Sequence, residues 1–447
     1  MYGDIPVRCF FILRRSFRMT HTHAVSMKTI MSAAFATLIE WFDFTIYIYI
    51  ASYISELFFP PQHGLASLIE TFGIFAAGYL MRPIGGIVFG QLGDRLGRKK
   101  TIMLTVVCMG ISIVMTSCLP TYQQIGIAAP VLLLLARMLQ GFSVGGEQTG
   151  VIVMLIEQSD QRYRGLYTSI ATFISGNGVL LSSLLATLLI HYLSHEQMLV
   201  YGWRIPYWIG AVLTIIALLF QSTMHESPMF EALSQEKHLD HSPMRGALRS
   251  HPWAIAIVFF LTGYLGIAYY LNAAFLPNYL ITIMGTPDHT AMIVTSCAAF
   301  AYAYSAPFWG WVSDCVGRKP VLIVGVIALA VLSYPMFLML SSHGLVLMIS
   351  AAMLMMLMVS ACTPPFITAI SELFPTEHRY SGVSFGYNIG NALFGGTTPL
   401  ISTYLISLTG QPLAPCWYLV VASCCILLVI FKMPETRTFN LQNVQSR

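Results

Sequence analysis

The decapeptide GQLGDRLGRK at residues 90–99 returns at residues 310–319 as GWVSDCVGRK, an offset of 220 residues. Five of the ten positions are identical, among them the aspartate and the closing Gly-Arg-Lys. A second echo pairs RYRG at residues 162–165 with RYSG at residues 379–382. Both echoes fall at equivalent places in two halves of the chain, which predicts a parallel internal duplication. Two such halves suit a molecule that rocks around a central site.

The composition indicates a membrane protein. Of the 447 residues, 56% are hydrophobic and only 9% are charged, and the mean hydropathy is +0.70. A soluble domain carries about 25% charged residues, so this chain cannot cover a water-facing surface of its size. The composition excludes an ordinary cytosolic enzyme, a disordered regulator and a nucleic-acid binder. The nine cysteines form no C-x-x-C pair, so we expect neither a disulfide framework nor a metal site.

Apolar runs interrupted by glycine, proline and charge predict an all-α membrane protein, with twelve transmembrane helices in two six-helix halves. The predicted spans, numbered 1 to 12 in chain order, are 28–58, 65–91, 101–119, 124–156, 165–192, 205–224, 253–284, 288–312, 320–341, 343–372, 380–409 and 415–433. The predicted divisions are a basic tail or mis-assigned start at 1–27, a first half at 28–224, a cytoplasmic linker at 225–252, a second half at 253–435 and a short tail at 436–447.

The distribution of basic residues predicts the orientation of the chain. If twelve spans alternate in direction, 20 of the 23 Lys and Arg residues fall on one side of the membrane. The positive-inside rule then places both termini in the cytoplasm. The three exceptions are Arg82, Arg137 and Arg204.

The repeated decapeptide resembles the signature loop of the major facilitator superfamily. Five further segments resemble the metabolite:proton symporter branch of that superfamily: EWFDF at 40–44, RPIGG at 82–86, RMLQGFSVGGE at 137–147, GWRIP at 202–206 and ESPMF at 226–230. The resemblance covers about residues 28–435 and is nearest to the proline/betaine carriers. It implies proton-coupled symport of a small organic solute by alternating access, in the bacterial inner membrane. It also implies a protein that works as a monomer, with the proton gradient as driving force and no cofactor.

The sequence also allows other functions. Within the same branch, the alternatives are symport of a dicarboxylate such as 2-oxoglutarate, of citrate or of shikimate. More distant alternatives are a non-transporting membrane sensor and a membrane enzyme. We expect no enzyme, because the chain contains neither an H-E-x-x-H nor a G-x-x-x-x-G-K-[ST] motif.

Ionisable residues inside the spans predict the proton-coupling site, because a charge at mid-bilayer costs several kcal/mol unless it is paired or hydrated. Glu40 lies 12 residues beyond Lys28, or ~18 Å at a rise of 1.5 Å per residue, and Asp43 shares its helix face. Arg137 lies near the middle of span 4, with Glu147 nearer the cytoplasm. We predict that Asp43 or Glu40 pairs with Arg137 and that a proton releases the pair, a use that the resemblance also implies. The alternative is a permanent salt bridge that fixes helix packing.

The substrate prediction rests on sparse positive charge and on aromatic residues. Apart from Lys432 at the end of span 12, no Lys or Arg lies inside spans 7–12, so a trianion is disfavoured, whereas a zwitterion or monocarboxylate needs one arginine. Aromatic side chains crowd spans 1 and 7, and such rings hold ammonium groups by cation–π attraction. The alternative is that these rings only pack helices or lie at the membrane interface. The predicted substrate-binding residues are Arg82, Trp41, Tyr47, Tyr269, Asn272, Tyr387 and Asn388.

The repeated decapeptide also predicts a conformational latch. The resemblance implies that Asp94 pairs with Arg98 and the start of span 11, and thereby stabilises the state closed to the cytoplasm. The alternative is a solvated loop acid that only sets topology. The predicted latch residues are Gly90, Asp94, Gly97, Arg98, Asp314 and Arg318.

Overall fold

The computed structural model describes residues 27–60, 65–96, 98–222, 243–342 and 344–439. Every regular element within these ranges is helical. Residues 1–26 and 440–447 of the predicted tails, and residues 225–242 of the predicted linker, lie outside the described residues. The described end of the linker contains one helix, Pro243–Ser250, which packs against span 11.

The first half contains spans 1 to 6. Their helices are, in order, Met27–Tyr49 with Ala51–Phe58, Leu65–Leu80 with Arg82–Leu96, Arg98–Ser117, Ala128–Val144 with Gln148–Gln158, Arg164–Tyr192, and Ile205–Ser222. Three short helices lie in the connections: Tyr122–Ile125, His195–Val200 and Gly202–Arg204.

The second half contains spans 7 to 12. Span 7 runs from Pro252–Tyr270 through a π-helical turn, Leu271–Phe275, the short helix Leu276–Asn278 and a second π-helical turn, Tyr279–Ile283. The remaining helices are Asp288–Val316, Arg318–Leu340, Leu345–Glu372, Thr376–Gly390 with the π-helical turn Asn391–Gly395 and Thr398–Thr409, and Ala414–Lys432.

Ten spans are long and apolar enough to cross a bilayer by themselves. Spans 1 and 11 complete the twelve. Span 1 is interrupted at Ile50 and carries Glu40 and Asp43, and span 11 opens with the polar stretch Thr376–Gly390. These two spans are therefore the least lipid-like, which fits their position in the interior of the bundle.

Span 4 is predicted as one helix but is broken between Val144 and Gln148. The break leaves two backbone carbonyl oxygens to be satisfied inside the protein. Gly145 O accepts from Asn388 Nδ2 at 3.1 Å, and Gly146 O accepts from the Tyr380 hydroxyl at 3.1 Å. Both donors belong to span 11, so the break in the first half depends on side chains of the second half.

The two halves meet most closely where span 5 packs along span 8. A Cβ atom built on Gly165 would lie 2.5 Å from Gly310 O and 2.5 Å from Ser313 Oγ. Such approaches are shorter than real Cβ contacts, so only glycine lets the two backbones come this close. The Thr168 and Thr368 hydroxyls, 2.6 Å apart, join the halves one turn further into the bundle.

We expect Gly165→Ala to destabilise the protein, because overpacking a tight contact costs about 1–3 kcal/mol. The apparent melting temperature in detergent should fall relative to the wild type. Gly73→Ala is the matched control, because nothing lies within 4 Å of a Cβ at Gly73. Equal melting temperatures for the two variants would contradict the close packing of spans 5 and 8.

Candidate functional site

A central cavity lies between the two halves and is lined by spans 1, 4, 5, 7, 8, 10 and 11. The side chains that determine its chemistry are Trp41, Gln148, Tyr269, Tyr270, Tyr302 and Tyr387. Among the described residues that line the cavity, none carries a formal charge. The cavity is therefore an aromatic and amide-lined space in which a ligand meets neutral polar groups.

The aromatic wall of the cavity joins the two halves. The Trp41 ring lies edge-on to Tyr269 at 5.5 Å and parallel to Tyr270 at 6.5 Å, and Tyr269 lies 5.1 Å from Tyr302. Of the predicted substrate-binding residues, Trp41, Tyr269 and Tyr387 line the cavity. Tyr302 is not among the predicted substrate-binding residues, although the aromatic residues between Phe300 and Trp311 in span 8 are a sequence signal that could have found it.

Three other predicted substrate-binding residues lie within the cavity's supporting walls rather than on its lining. The Tyr47 hydroxyl donates to Thr71 O at 3.0 Å, and Asn272 Nδ2 donates to Ala268 O at 2.9 Å. Asn388 holds the break in span 4, as described above. Tyr47 and Asn388 thus bond to other spans in this conformation, whereas Asn272 bonds one turn back along its own span.

Arg82 reaches the cavity only through a neighbour. Its side chain is 1% exposed, and its guanidinium carbon lies 5.1 Å from the Tyr79 ring centroid. Arg82 Nη2 donates to Gln148 Oε1 at 2.8 Å, and Gln148 lines the cavity. Gln148 therefore stands between Arg82 and the cavity. Any effect of Arg82 on a bound substrate has to pass through this hydrogen-bonded pair.

Asp43 and Arg137 share a glutamine. Arg137 Nη1 donates to Gln140 Oε1, and Gln140 Nε2 donates to Asp43 Oδ2. The Arg137 guanidinium also faces the Tyr47 and Tyr207 rings at 4.5 and 5.4 Å. The spacing of Gln140, three residues after Arg137 on one helix face, is a sequence signal for this role. In the structure the two ions communicate through an amide instead of forming a direct pair.

Glu40 and Glu147 are the other buried acids among the described residues of the first half, 2% and 3% exposed. Within the described part of the chain, one carboxyl oxygen of each has no hydrogen-bond partner. Glu40 lies within electrostatic reach of both Arg82 and Glu147. Among the described residues at the centre of the first half, Glu40, Asp43 and Glu147 lie with Arg82 and Arg137, so full ionisation of these five would leave one excess negative charge. A bound proton removes that excess.

The second copy of the decapeptide forms a hydrogen-bond network, here called the Asp314 latch, at the membrane face where Met27 and Lys432 lie, here called the termini face. Asp314 accepts hydrogen bonds from the backbone of Gly165 and Leu166, each at 2.8 Å, and from Arg318 Nη1 at 2.6 Å. An acid at a helix N-terminus is stabilised by the helix dipole. The latch therefore ties the end of span 8 to the first turn of span 5.

The latch continues through residues that the repeat alone does not identify. Glu372 lies 3.5 Å from Arg318 and 3.4 Å from Arg164, and it accepts from the Thr436 hydroxyl at 2.7 Å. Arg164 Nη1 also donates to Phe439 O at 2.9 Å. The network therefore includes the chain beyond span 12 as well as both halves.

The first copy of the decapeptide is described only in part. Its backbone belongs to the helices that flank residue 97, whereas the side chains of Asp94 and Arg98 and all of Gly97 lie outside the described residues, as does the surrounding of Gly90.

We expect Gln140→Leu to destabilise the protein, since a buried charged group left without its partner costs about 1–3 kcal/mol. The Asp43→Asn change should cost less in the Gln140→Leu background than in the wild type, with a coupling of about 0.5–3 kcal/mol. Thermal unfolding of the two single variants and the double variant measures this coupling. Additive losses would show that Gln140 does not link Asp43 to Arg137.

Known proteins resemble this chain in sequence and in architecture. The proline/betaine transporter of Salmonella typhimurium (strain LT2) is 32% identical over 430 residues, which cover 92% of this chain and 83% of that protein. The glycine betaine/proline/ectoine/pipecolic acid transporter OusA of Dickeya dadantii (strain 3937) is 31% identical over 424 residues, with 92% and 83% coverage.

The solved structures that resemble this chain include the proton:xylose symporter XylE bound to 6-bromo-6-deoxy-D-glucose. The two share 17% sequence identity with a TM-score of 0.77, over 93% of this chain and 98% of that one. The sequence profile of the Major Facilitator Superfamily matches residues 33–276 and again residues 264–445. With its duplicated decapeptide, its twelve spans and its central cavity, the chain belongs to the major facilitator superfamily.

Proposed function

We propose that the protein is a proton-coupled symporter for a zwitterionic osmolyte of the proline or betaine type. The observation that carries the substrate class is the central cavity, with its aromatic wall and with no charge among its described lining residues. The faces of Trp41 and Tyr269 offer cation–π contacts to a substituted ammonium group, worth about 0.5–2 kcal/mol. A zwitterion brings no net charge into this space, whereas a dianion or trianion brings charge that the cavity does not neutralise. The names of the Salmonella and Dickeya relatives support the same class.

The proton site of the proposed symporter is the Asp43–Gln140–Arg137 cluster. An ionised Asp43 accepts from Gln140, which in turn is held by Arg137. Protonation removes the charge on Asp43 and weakens its hold on Gln140, so span 1 becomes less tightly bound to span 4. Glu40 and Glu147 provide a second pair of buried acids on the same two spans.

The movement of the proposed symporter is a rocking of the two halves about the cavity. In the structure the halves are joined at the termini face by the Asp314 latch. At the opposite face, the Tyr53 hydroxyl donates to Asp288 Oδ2 at 3.1 Å, and Asn278 Nδ2 donates to Ile48 O at 3.0 Å. Transport requires each set of contacts to open in turn.

The proposed setting is the bacterial inner membrane, with the termini face in the cytoplasm and the monomer as the working unit. The clustering of 20 of the 23 basic residues on the termini side supports this orientation. The driving force is the proton gradient.

The test of the substrate class is uptake into proteoliposomes under an imposed pH gradient. Labelled proline, glycine betaine, 2-oxoglutarate, citrate and shikimate are compared side by side. We expect accumulation of proline or glycine betaine and its collapse when a protonophore is added. Accumulation of 2-oxoglutarate or citrate alone would overturn the proposed substrate class.

We expect Asp43→Asn to abolish uptake driven by the pH gradient and to leave counterflow exchange intact, because asparagine mimics the protonated acid but cannot release the proton. Both assays use the same proteoliposome preparation, so counterflow controls for folding and insertion. Full accumulation by this variant would exclude Asp43 as the proton site.

We expect Trp41→Ala to raise the KM for glycine betaine by roughly tenfold, the equivalent of about 1.4 kcal/mol, because the indole face is the richest cation–π partner of the wall. Trp41→Phe should retain part of the affinity. Trp417→Ala is the matched control, since Trp417 is 55% exposed on the outside of span 12. An equal rise of KM in Trp417→Ala and Trp41→Ala would show that the aromatic wall does not bind the substrate.

A further inference from the structure

We propose that Gln148 is the residue that binds the substrate carboxylate in the central cavity, and that Arg82 is a positioning residue that acts through it. This inference rests on the proposed function in one respect, namely that the transported solute carries a carboxylate.

Gln148 lies where a ligand in the cavity can reach it. Gln148 is the first residue of the helix Gln148–Gln158, just after the break in span 4, and its half-buried side chain lines the cavity. Arg82 is 1% exposed and is not among the lining residues. A ligand in the cavity therefore meets the amide of Gln148 and not the guanidinium of Arg82.

The hydrogen bond to Arg82 fixes the orientation of the Gln148 amide. A guanidinium has only donors, so the Gln148 atom 2.8 Å from Arg82 Nη2 has to be the carbonyl oxygen Oε1. This fixes Nε2, with its two N–H donors, on the other side of the amide. Among the described residues, Nε2 of Gln148 donates to no acceptor. The amide thus has two free donors at the cavity wall, which is what a carboxylate requires.

The charge of Arg82 also affects how strongly the Gln148 amide binds an anion. The hydrogen bond from a cationic donor polarises the amide and strengthens its N–H groups as donors to an anion. The buried positive charge of Arg82, which Glu40 offsets in part, also favours a carboxylate at the same place. A neutral amide binds an anion less tightly than a guanidinium does, and this suits a solute that has to be released on the other side of the membrane.

The donors of Gln148 complement the aromatic rings in the rest of the cavity. The same space is lined by Trp41, Tyr269 and Tyr270, whose ring faces attract an ammonium group. Gln148 supplies the donors that those rings lack. A zwitterion is held at both ends, while the cavity gains no net charge.

The test compares Gln148→Leu and Gln148→Glu with the wild type in the five-solute uptake assay, on whichever carboxylates the wild type accumulates. Leucine removes both donors and the acceptor for Arg82. Glutamate keeps the acceptor for Arg82, and hence the fold around it, but replaces the donors by a second carboxylate oxygen. The matched control is Gln221→Leu, because Gln221 is also buried, at 1% exposure, and lies in span 6 away from the cavity.

We expect Gln148→Leu to raise KM at least about tenfold with kcat within about twofold, and Gln148→Glu to raise KM by more, because it repels the substrate. Gln221→Leu should leave KM unchanged. Wild-type KM values in both Gln148 variants would overturn this inference and leave the proposed function standing. A fall of kcat at constant KM in Gln148→Glu would mean that Gln148 is only structural and would also overturn it. Uptake of none of the five solutes by the wild type would overturn the proposed function and this inference together.

Discussion

The structure depends on the cost of holding ionised side chains inside a layer of protein that is itself surrounded by hydrocarbon. The first half buries Glu40, Asp43, Arg82, Arg137 and Glu147 in its interior. Two glutamines of span 4 provide partners for this set. Gln140 stands between Arg137 and Asp43, and Gln148 stands between Arg82 and the cavity. A neutral amide can donate and accept at once, so it lets a charge act over a distance without exposing the charge itself.

The break in span 4 follows from the same constraint. Gln148, which lines the cavity, is the first residue of the helix that restarts one turn after Val144. Stopping a helix in the membrane leaves carbonyl oxygens without partners, and Asn388 and Tyr380 of span 11 supply them. The polar residues Tyr380 and Asn388, which lower the apolarity of span 11, thus connect the two halves.

The sequence was sufficient for the architecture but only in part for the site. Hydropathy and the duplicated decapeptide predict twelve spans in two halves, because those features are local and periodic. The break in span 4 could not be predicted, since Asn388 Nδ2 bonds Gly145 O across 243 residues of sequence. Trp41 and Tyr269 could be placed at the cavity from their crowding in spans 1 and 7. The role of Gln148 could not, because tertiary packing decides which atom of a neutral amide faces a cavity.

The contacts made by the chain beyond span 12 bear on biosynthesis. Thr436 and Phe439 bond Glu372 and Arg164, and the Arg164–Phe439 partners are 275 residues apart in the sequence. A ribosome therefore delivers all twelve spans to the membrane before these groups can meet. During that interval Arg164 and Glu372 remain without these partners at the membrane face, and the nascent first half has to persist in an unfinished state. Such distant contacts form slowly compared with local helices. The contacts of the chain beyond span 12 with the two halves therefore form late in folding, and they lie outside the bilayer.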